Sequence, residues 1–181
     1  MSPLIDTEIL SAIHKGEIVI DPFDAANIQP NSYDLTLGDE FLWFPHSESP
    51  IDPHTKVTSR DHASLISKEF MIRPHEFVLA TTLERVELPK DICAMLMGRS
   101  SFARLGLEVH QTAGWVDAGF KGNLTLELVN NNSRPLILRK GDKVGQLVFF
   151  RTEPCLVGYG MKGKYQDQKG VTPSRVHKDY R

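Results

Sequence analysis

The stretch Leu124-Thr125-Leu126-Glu127-Leu128-Val129 places leucine at every second position. A strand turns successive side chains to opposite faces. Leu124, Leu126 and Leu128 therefore share one face, and Thr125, Glu127 and Val129 share the other. With the leucines on a core, Glu127 is either a solvated carboxylate or one confined in a cleft. Confinement would raise its pKa and suit it to moving protons. Alternation alone leaves both readings open. Similar short apolar runs lie on either side: Ile18-Val19-Ile20, Tyr33 to Leu37, Phe41 to Phe44, Phe77 to Ala80, Cys93 to Met97, Leu136 to Leu138 and Val144 to Phe150. Asp21-Pro22, Gly38-Asp39 and Pro45 punctuate them as turns. Many short strands without a βαβ rhythm or an internal repeat predict a mainly β sandwich or barrel.

The chain has 181 residues, 40% hydrophobic and 24% charged, with a net charge of -2. These values suit one folded domain and exclude disorder and low-complexity classes. The near-neutral charge gives no basic field for nucleic acid, so any anion site must be local. No apolar run approaches the roughly 18 residues of a membrane helix. The start, Met1-Ser2-Pro3-Leu4-Ile5-Asp6, does not read as a signal peptide. Cys93 and Cys155 stand outside any CxxC and read as small apolar fillers in a reducing compartment, which gives a cytoplasmic expectation.

Asp6 to Gly16 predicts one short helix, capped by Asp6 and ended by Gly16. Ser100 to Leu107 predicts a second, with Ser100 or Ser101 as its cap and its end near Gly106. His46 to Ser67 reads as a long loop. The segment from Gly158 to Arg181 has few large aliphatics and no core strand; it is either a frayed end or a flap over a ligand.

Gly98-Arg99-Ser100-Ser101 offers backbone N–H groups, two hydroxyls and a guanidinium to a phosphate, although a purely structural cap has the same composition. Thr112 to Phe120 reads as a hairpin whose small residues would let a flat ring approach the backbone. Zinc nucleobase deaminases need HxE followed by PCxxC. Here Pro154-Cys155 lacks the second cysteine and His75-Glu76 are adjacent, so that pattern fails. The seven histidines form no metal-binding motif either.

Taken in order, Gly98-Arg99-Ser100-Ser101-Phe102-Ala103-Arg104-Leu105-Gly106-Leu107, His110, Thr112-Ala113-Gly114, Asp117 and Leu126-Glu127 resemble the dCTP deaminases of the dUTPase superfamily. Ile28-Gln29-Pro30-Asn31-Ser32-Tyr33-Asp34-Leu35 resembles that family's N-terminal segment. Gly145-Gln146-Leu147 and Lys164 to Arg175 resemble its C-terminal segments. The likeness spans nearly the whole chain, leaving mainly residues 46–67 outside it.

The resemblance implies a distorted β-barrel or jelly-roll of the dUTPase-like type, with a short N-terminal helix and one short internal helix. Residues 1–157 would form the barrel, and residues 158–181 a tail closing over a nucleotide. The subunit would belong to a homotrimer with active sites between subunits. Mg²⁺ would be held mainly through the triphosphate, without zinc. The implied reaction is hydrolytic deamination of dCTP at C4.

Residue roles follow from the same likeness. Glu127 matches the proton-transferring glutamate. Ser100 and the backbone at Ala113 would position the water and the base, with Arg104 near the reacting centre. Arg99 and Ser101 would bind phosphates, with Phe102 and Ala103 in the same segment. Thr125, Leu126 and Glu127 would run beside base and sugar, with Asp117 by the deoxyribose. Gln146, Tyr159, Lys164 and Gln168 match further nucleotide contacts.

Gly114-Trp115 resembles members that continue to dUMP and diphosphate, where Asp117 would orient a second water. Phe120 departs from the tyrosine often found in pure dUTPases. The alternatives left open are release of dUTP and a non-catalytic nucleotide-sensing module. Substrates would be dCTP and dUTP, with dTTP open as an inhibitor and no nucleic-acid or membrane partner.

Overall fold

Twelve strands and three short α-helices make up residues 2–180, which the computed structural model describes. Met1 and Arg181, the outer ends of the two expected segments, lie outside the described residues. In chain order the elements are α1 (Asp6–His14), β1 (Val19–Asp21), β2 (Ile28–Gln29), β3 (Ser32–Trp43), β4 (Ala63–Ile66), β5 (Glu69–Ile72), β6 (Phe77–Glu87) and β7 (Ile92–Gly98). They continue with α2 (Ser100–Ala103), β8 (Leu107–Glu108), β9 (Trp115–Val116), β10 (Lys121–Asn130), β11 (Leu136–Arg139), β12 (Lys143–Arg151) and α3 (Tyr159–Lys162). Single 3₁₀ turns lie at Ala25–Asn27 and Val176–Tyr180.

The fold is mainly β, as the strand pattern predicts, and its main sheet curls into a half-barrel. The strand order is β8-β10-β6-β3-β12-β7-β9, with β1 on β6 and with β2 and β4 on β3. A separate antiparallel pair joins β5 to β11. The interior holds Tyr33, Leu35, Leu37, Phe41, Leu126, Leu128 and Phe149, all fully buried. The rings of Phe41 and Phe70 stack at 4.5 Å between centroids, tying the small pair of strands to the main sheet. Among the described residues no helix is long and apolar enough to cross a membrane.

The leucine alternation on β10 holds. Leu124, Leu126 and Leu128 are buried, while Thr125, Glu127 and Val129 are partly open. Other sequence expectations need correction. Gly38-Asp39 is not a turn: β3 runs straight through it. A Cβ on Gly38 would lie 2.6 Å from Thr81 Cγ2, so glycine is there to let β6 approach. The register of β3 on β6 shifts between Leu37 and Phe41, where β3 passes from one half of the sheet to the other.

Thr112 to Phe120 is not a hairpin. Trp115 and Val116 pair with Met95 and Ala94 on β7, and the chain then crosses to β10. The first helix starts from Ile5 rather than Asp6: the Glu8 carboxylate accepts the Ile5 N–H at 2.9 Å. Arg99, not Ser100 or Ser101, occupies the N-cap of α2, and no side chain caps it. The loop expected over residues 46–67 ends in β4, which pairs Ala63–Ile66 with Glu40 to Trp43.

The tail carries a third helix, α3, which the sequence reading lacked. The Tyr159 ring lies 5.6 Å from that of Phe120. Further on, Gln168 bridges to Gly122 on β10. The tail therefore returns across the barrel.

Candidate active site

A cavity of about 460 Å³ opens between β10, the segment around β9 and the returning tail. Glu127 and Thr125 face it from β10, because the buried leucines that alternate with them fix that face outward from the core. The carboxylate is anchored on one side only. Its Oε2 accepts the Gln111 N–H at 2.9 Å, and the Glu127 N–H donates to Val109 O at 3.0 Å. These bonds lay residues 109–113 against β10 and bring Ala113 to the cavity wall.

Gly114 explains how that segment lies so close. A Cβ there would sit 2.8 Å from Leu96 O and 3.3 Å from the His110 ring. The Leu96 N–H in turn donates to Gly114 O at 2.7 Å. Trp115, half exposed, and Asp117 continue the wall. A turn in which the Phe120 N–H donates to Asp117 O at 3.1 Å holds Asp117 at the rim.

The tail supplies the opposite wall with Tyr159, Tyr165, Gln168, Thr172 and Ser174. Gln168 is buried, and its Nε2 donates to Asn123 O. Its Oε1 is buried and has no hydrogen-bond partner among the described residues. The Thr172 N–H donates to Thr125 Oγ1 at 3.3 Å. Burial raises the pKa of the Tyr159 hydroxyl, against the Tyr165 N–H that it accepts at 3.3 Å. Lys164 does not face the cavity. It pairs with Asp179, which holds its ammonium above the usual lysine value.

A second group lies apart. Arg99, Ser100, Ser101, Phe102, Ala103, Arg104 and Gln146 do not line this chain's cavity. They gather where β7 and α2 meet β12 and β3. Arg99 Nε lies 3.2 Å from the fully buried Asp34 carboxylate. Gln29 Nε2 donates to the other oxygen of Asp34 at 3.2 Å. Ser32 Oγ donates to Gln146 Oε1 at 2.9 Å, and Gln146 Nε2 donates to Gly98 O at 3.4 Å. Burial pushes the Asp34 carboxyl up, while Arg99, Lys143 and Gln29 pull the other way. Ser100, Ser101 and Arg104 are exposed, and neither serine hydroxyl caps α2.

Sequence reasoning did not assign Phe44, Phe77, Leu79, Tyr165, Thr172 or Ser174, which complete the cavity. It quoted Asp34 only as part of a matching segment. Burial of an aspartate inside a run of core residues, Tyr33-Asp34-Leu35, was the available signal. Among the described residues no three His, Cys, Asp or Glu side chains converge as a metal cage.

A family model described as dCTP deaminase-like matches residues 4–152. A protein from Methanoculleus marisnigri named "dCTP deaminase, dUMP-forming" is 47% identical over 181 residues, covering 98% of this chain and 97% of its own. One of the same name from Persephonella marina is 44% identical over 179 residues, covering 97% of this chain and 98% of its own. The solved 2'-deoxycytidine 5'-triphosphate deaminase from Agrobacterium tumefaciens shares the fold, with a TM-score of 0.63 at 23% identity over 81% of this chain. This chain spans about half of that one, 47%. With one model matching from the first helix through β12, and relatives matching end to end, the chain belongs to the dCTP deaminase-like family.

Proposed function

We propose that this chain deaminates dCTP and hydrolyses its triphosphate at one site, releasing dUMP, ammonia and diphosphate. The observation that carries this reading is Glu127, set in the cavity with one carboxylate oxygen tied to the Gln111 N–H. The names of the relatives supply the substrate and product. In the first half-reaction Glu127 takes a proton from water, and the oxygen adds to C4 of cytosine. Glu127 delivers that proton to N3, takes a second from the hydroxyl now on C4 and passes it to the departing amine; the C4–N bond breaks, C4 becomes a carbonyl and ammonia leaves. In the second, Asp117 orients another water toward the α-phosphorus. The bond to the diphosphate oxygen breaks and dUMP remains. Two waters enter and balance both steps.

Ala113 and Thr125 border the base and sugar, and Leu126, whose side chain is in the core, would act through its main chain. Gln168 walls the nucleotide's place in the cavity, and the tail from Gly158 would serve as its cover. Arg99, Ser100, Ser101, Arg104 and Gln146 stand outside this cavity, which fits a homotrimer in which a neighbouring subunit brings them to it. Mg²⁺ would rest on phosphate oxygens and water, with Asp117 as the one cavity carboxylate at the rim besides Glu127. That sparse donor set suits an ion that keeps its water shell. When bound, Mg²⁺ would neutralise charge on the triphosphate.

The deciding experiment is chromatography of products from dCTP and Mg²⁺. Equal yields of dUMP, ammonia and diphosphate are expected. Accumulating dUTP would remove the second half-reaction, and unchanged dCTP would overturn the proposal.

A further inference from the structure

Glu40 sits on β3, far along the chain from the tail, yet its carboxylate meets the tail directly. Oε2 accepts the Val171 N–H at 3.1 Å. The neighbouring Gly170 has φ +63, and a Cβ built on it would lie 2.1 Å from the same oxygen and 2.6 Å from Cδ. Any side chain at position 170 would therefore both strain the backbone and displace the carboxylate. No ion pair involves Glu40 among the described residues, so a main-chain N–H is its partner here.

The second hold on this segment comes from β10. The Asn123 N–H donates to Gln168 O at 3.1 Å, and the Thr172 N–H donates to Thr125 Oγ1 at 3.3 Å. Lys169 is exposed between these fixed points. The strapped residues include Gln168 and Thr172, which wall the cavity.

We infer that Glu40 is a positioning residue: it fastens Gly170-Val171 so that the tail's Gln168 and Thr172 are held over the cavity. A carboxylate suits this task because a charge-assisted bond to a backbone N–H is stronger than a neutral one. The cleavage readout below stands without any assumption about the reaction, whereas the kinetic readout rests on the proposed function.

The test uses the full chain and three variants: E40A, E40Q and G170A. Limited trypsin digestion reports exposure of Lys164 and Lys169, and thermal melting reports the barrel. E40A and G170A should raise tail cleavage roughly tenfold, the weight of one charged hydrogen bond, with little change in melting. Both should raise the KM for dCTP by a similar factor and lower kcat less. E40Q, which keeps an acceptor oxygen, should fall between E40A and the parent. Tail cleavage equal to the parent's in both E40A and G170A would overturn the inference. So would cleavage spread over the barrel with a lowered melting point, which marks a general structural role. If the parent does not consume dCTP, the proposed function fails while the cleavage result still decides the role of Glu40.

Discussion

Glu127 Oε2 lies 2.9 Å from the backbone nitrogen of Gln111 and accepts its hydrogen. This bond turns the carboxylate and seats residues 109–113 at once. A glutamine at 127 keeps an oxygen for the Gln111 N–H but cannot carry a proton between water and base. E127Q should therefore lose ammonia release by roughly 10² to 10⁴-fold while binding dCTP about as well as the parent. Ammonia assay and equilibrium dialysis separate the two effects. Retained ammonia release would remove Glu127 from proton transfer.

Asp117 stands at the cavity rim on a turn closed by the Phe120 N–H to its own carbonyl. The turn uses the main chain, so D117N should leave it intact. The variant should still convert cytosine to uracil but pass mostly dUTP into solution, with dUMP formation down roughly 10²-fold or more. A product ratio unchanged from the parent would deny Asp117 the second water.

Asp34 lies 3.2 Å from Arg99 Nε and is fully buried. Burial already works against its charge, so D34N should change the melting point little. What it removes is the anion that orients Arg99. The KM for dCTP should rise roughly tenfold, with a smaller fall in kcat. In an R99A background the same substitution should add almost nothing. Additive effects would show that Asp34 acts by another route.

Glu84 is buried on β6 and faces β3. The Thr36 N–H reaches both its oxygens, at 3.2 and 3.0 Å, and Thr36 Oγ1 donates at 2.7 Å. Burial nevertheless dominates and raises its carboxyl. The folded state then holds a proton at pH values where the unfolded chain has released it. Stability from this group is complete below the ordinary carboxylate range and falls as pH rises through the raised value, then levels. Asp34 acts in the same direction. Melting temperatures should decline as pH rises from the ordinary carboxylate range through the raised value, and E84Q should flatten part of the decline. A slope that E84Q leaves untouched would point to other groups.

The strand pattern was legible because β10 buries one face only; its leucines declare which side is core, and Glu127 stands out against them. Ala113, Asp117 and Glu127, which line the cavity, were singled out by the likeness to the dCTP deaminases; alternation alone left Glu127 open between solvent and a cleft. What stayed hidden depends on approach between distant segments. Gly38 looks like a turn residue until Thr81 is seen against it. Trp115-Val116 looks like half of a hairpin, but its partner is β7, earlier in the chain. The cap at Ile5 uses a side chain three positions on, Glu8, where composition favoured Asp6. Asp34 stands out inside Tyr33-Asp34-Leu35, but nothing local names Arg99 as its partner, and neither Glu40 nor Val171 leaves a local pattern.

The unbroken course of β3 through Gly38 restricts how this gene can change length. Asp34 and Glu40 ride on the same strand, Asp34 paired with Gln146 of β12 and Glu40 with Ile66 of β4. Losing or gaining a single codon between them would turn one of the two toward the wrong side. Natural insertions and deletions should instead collect at residues 44–62, which belong to no strand, and a one-residue deletion between Asp34 and Glu40 should disable the arginine support or the tail fastening.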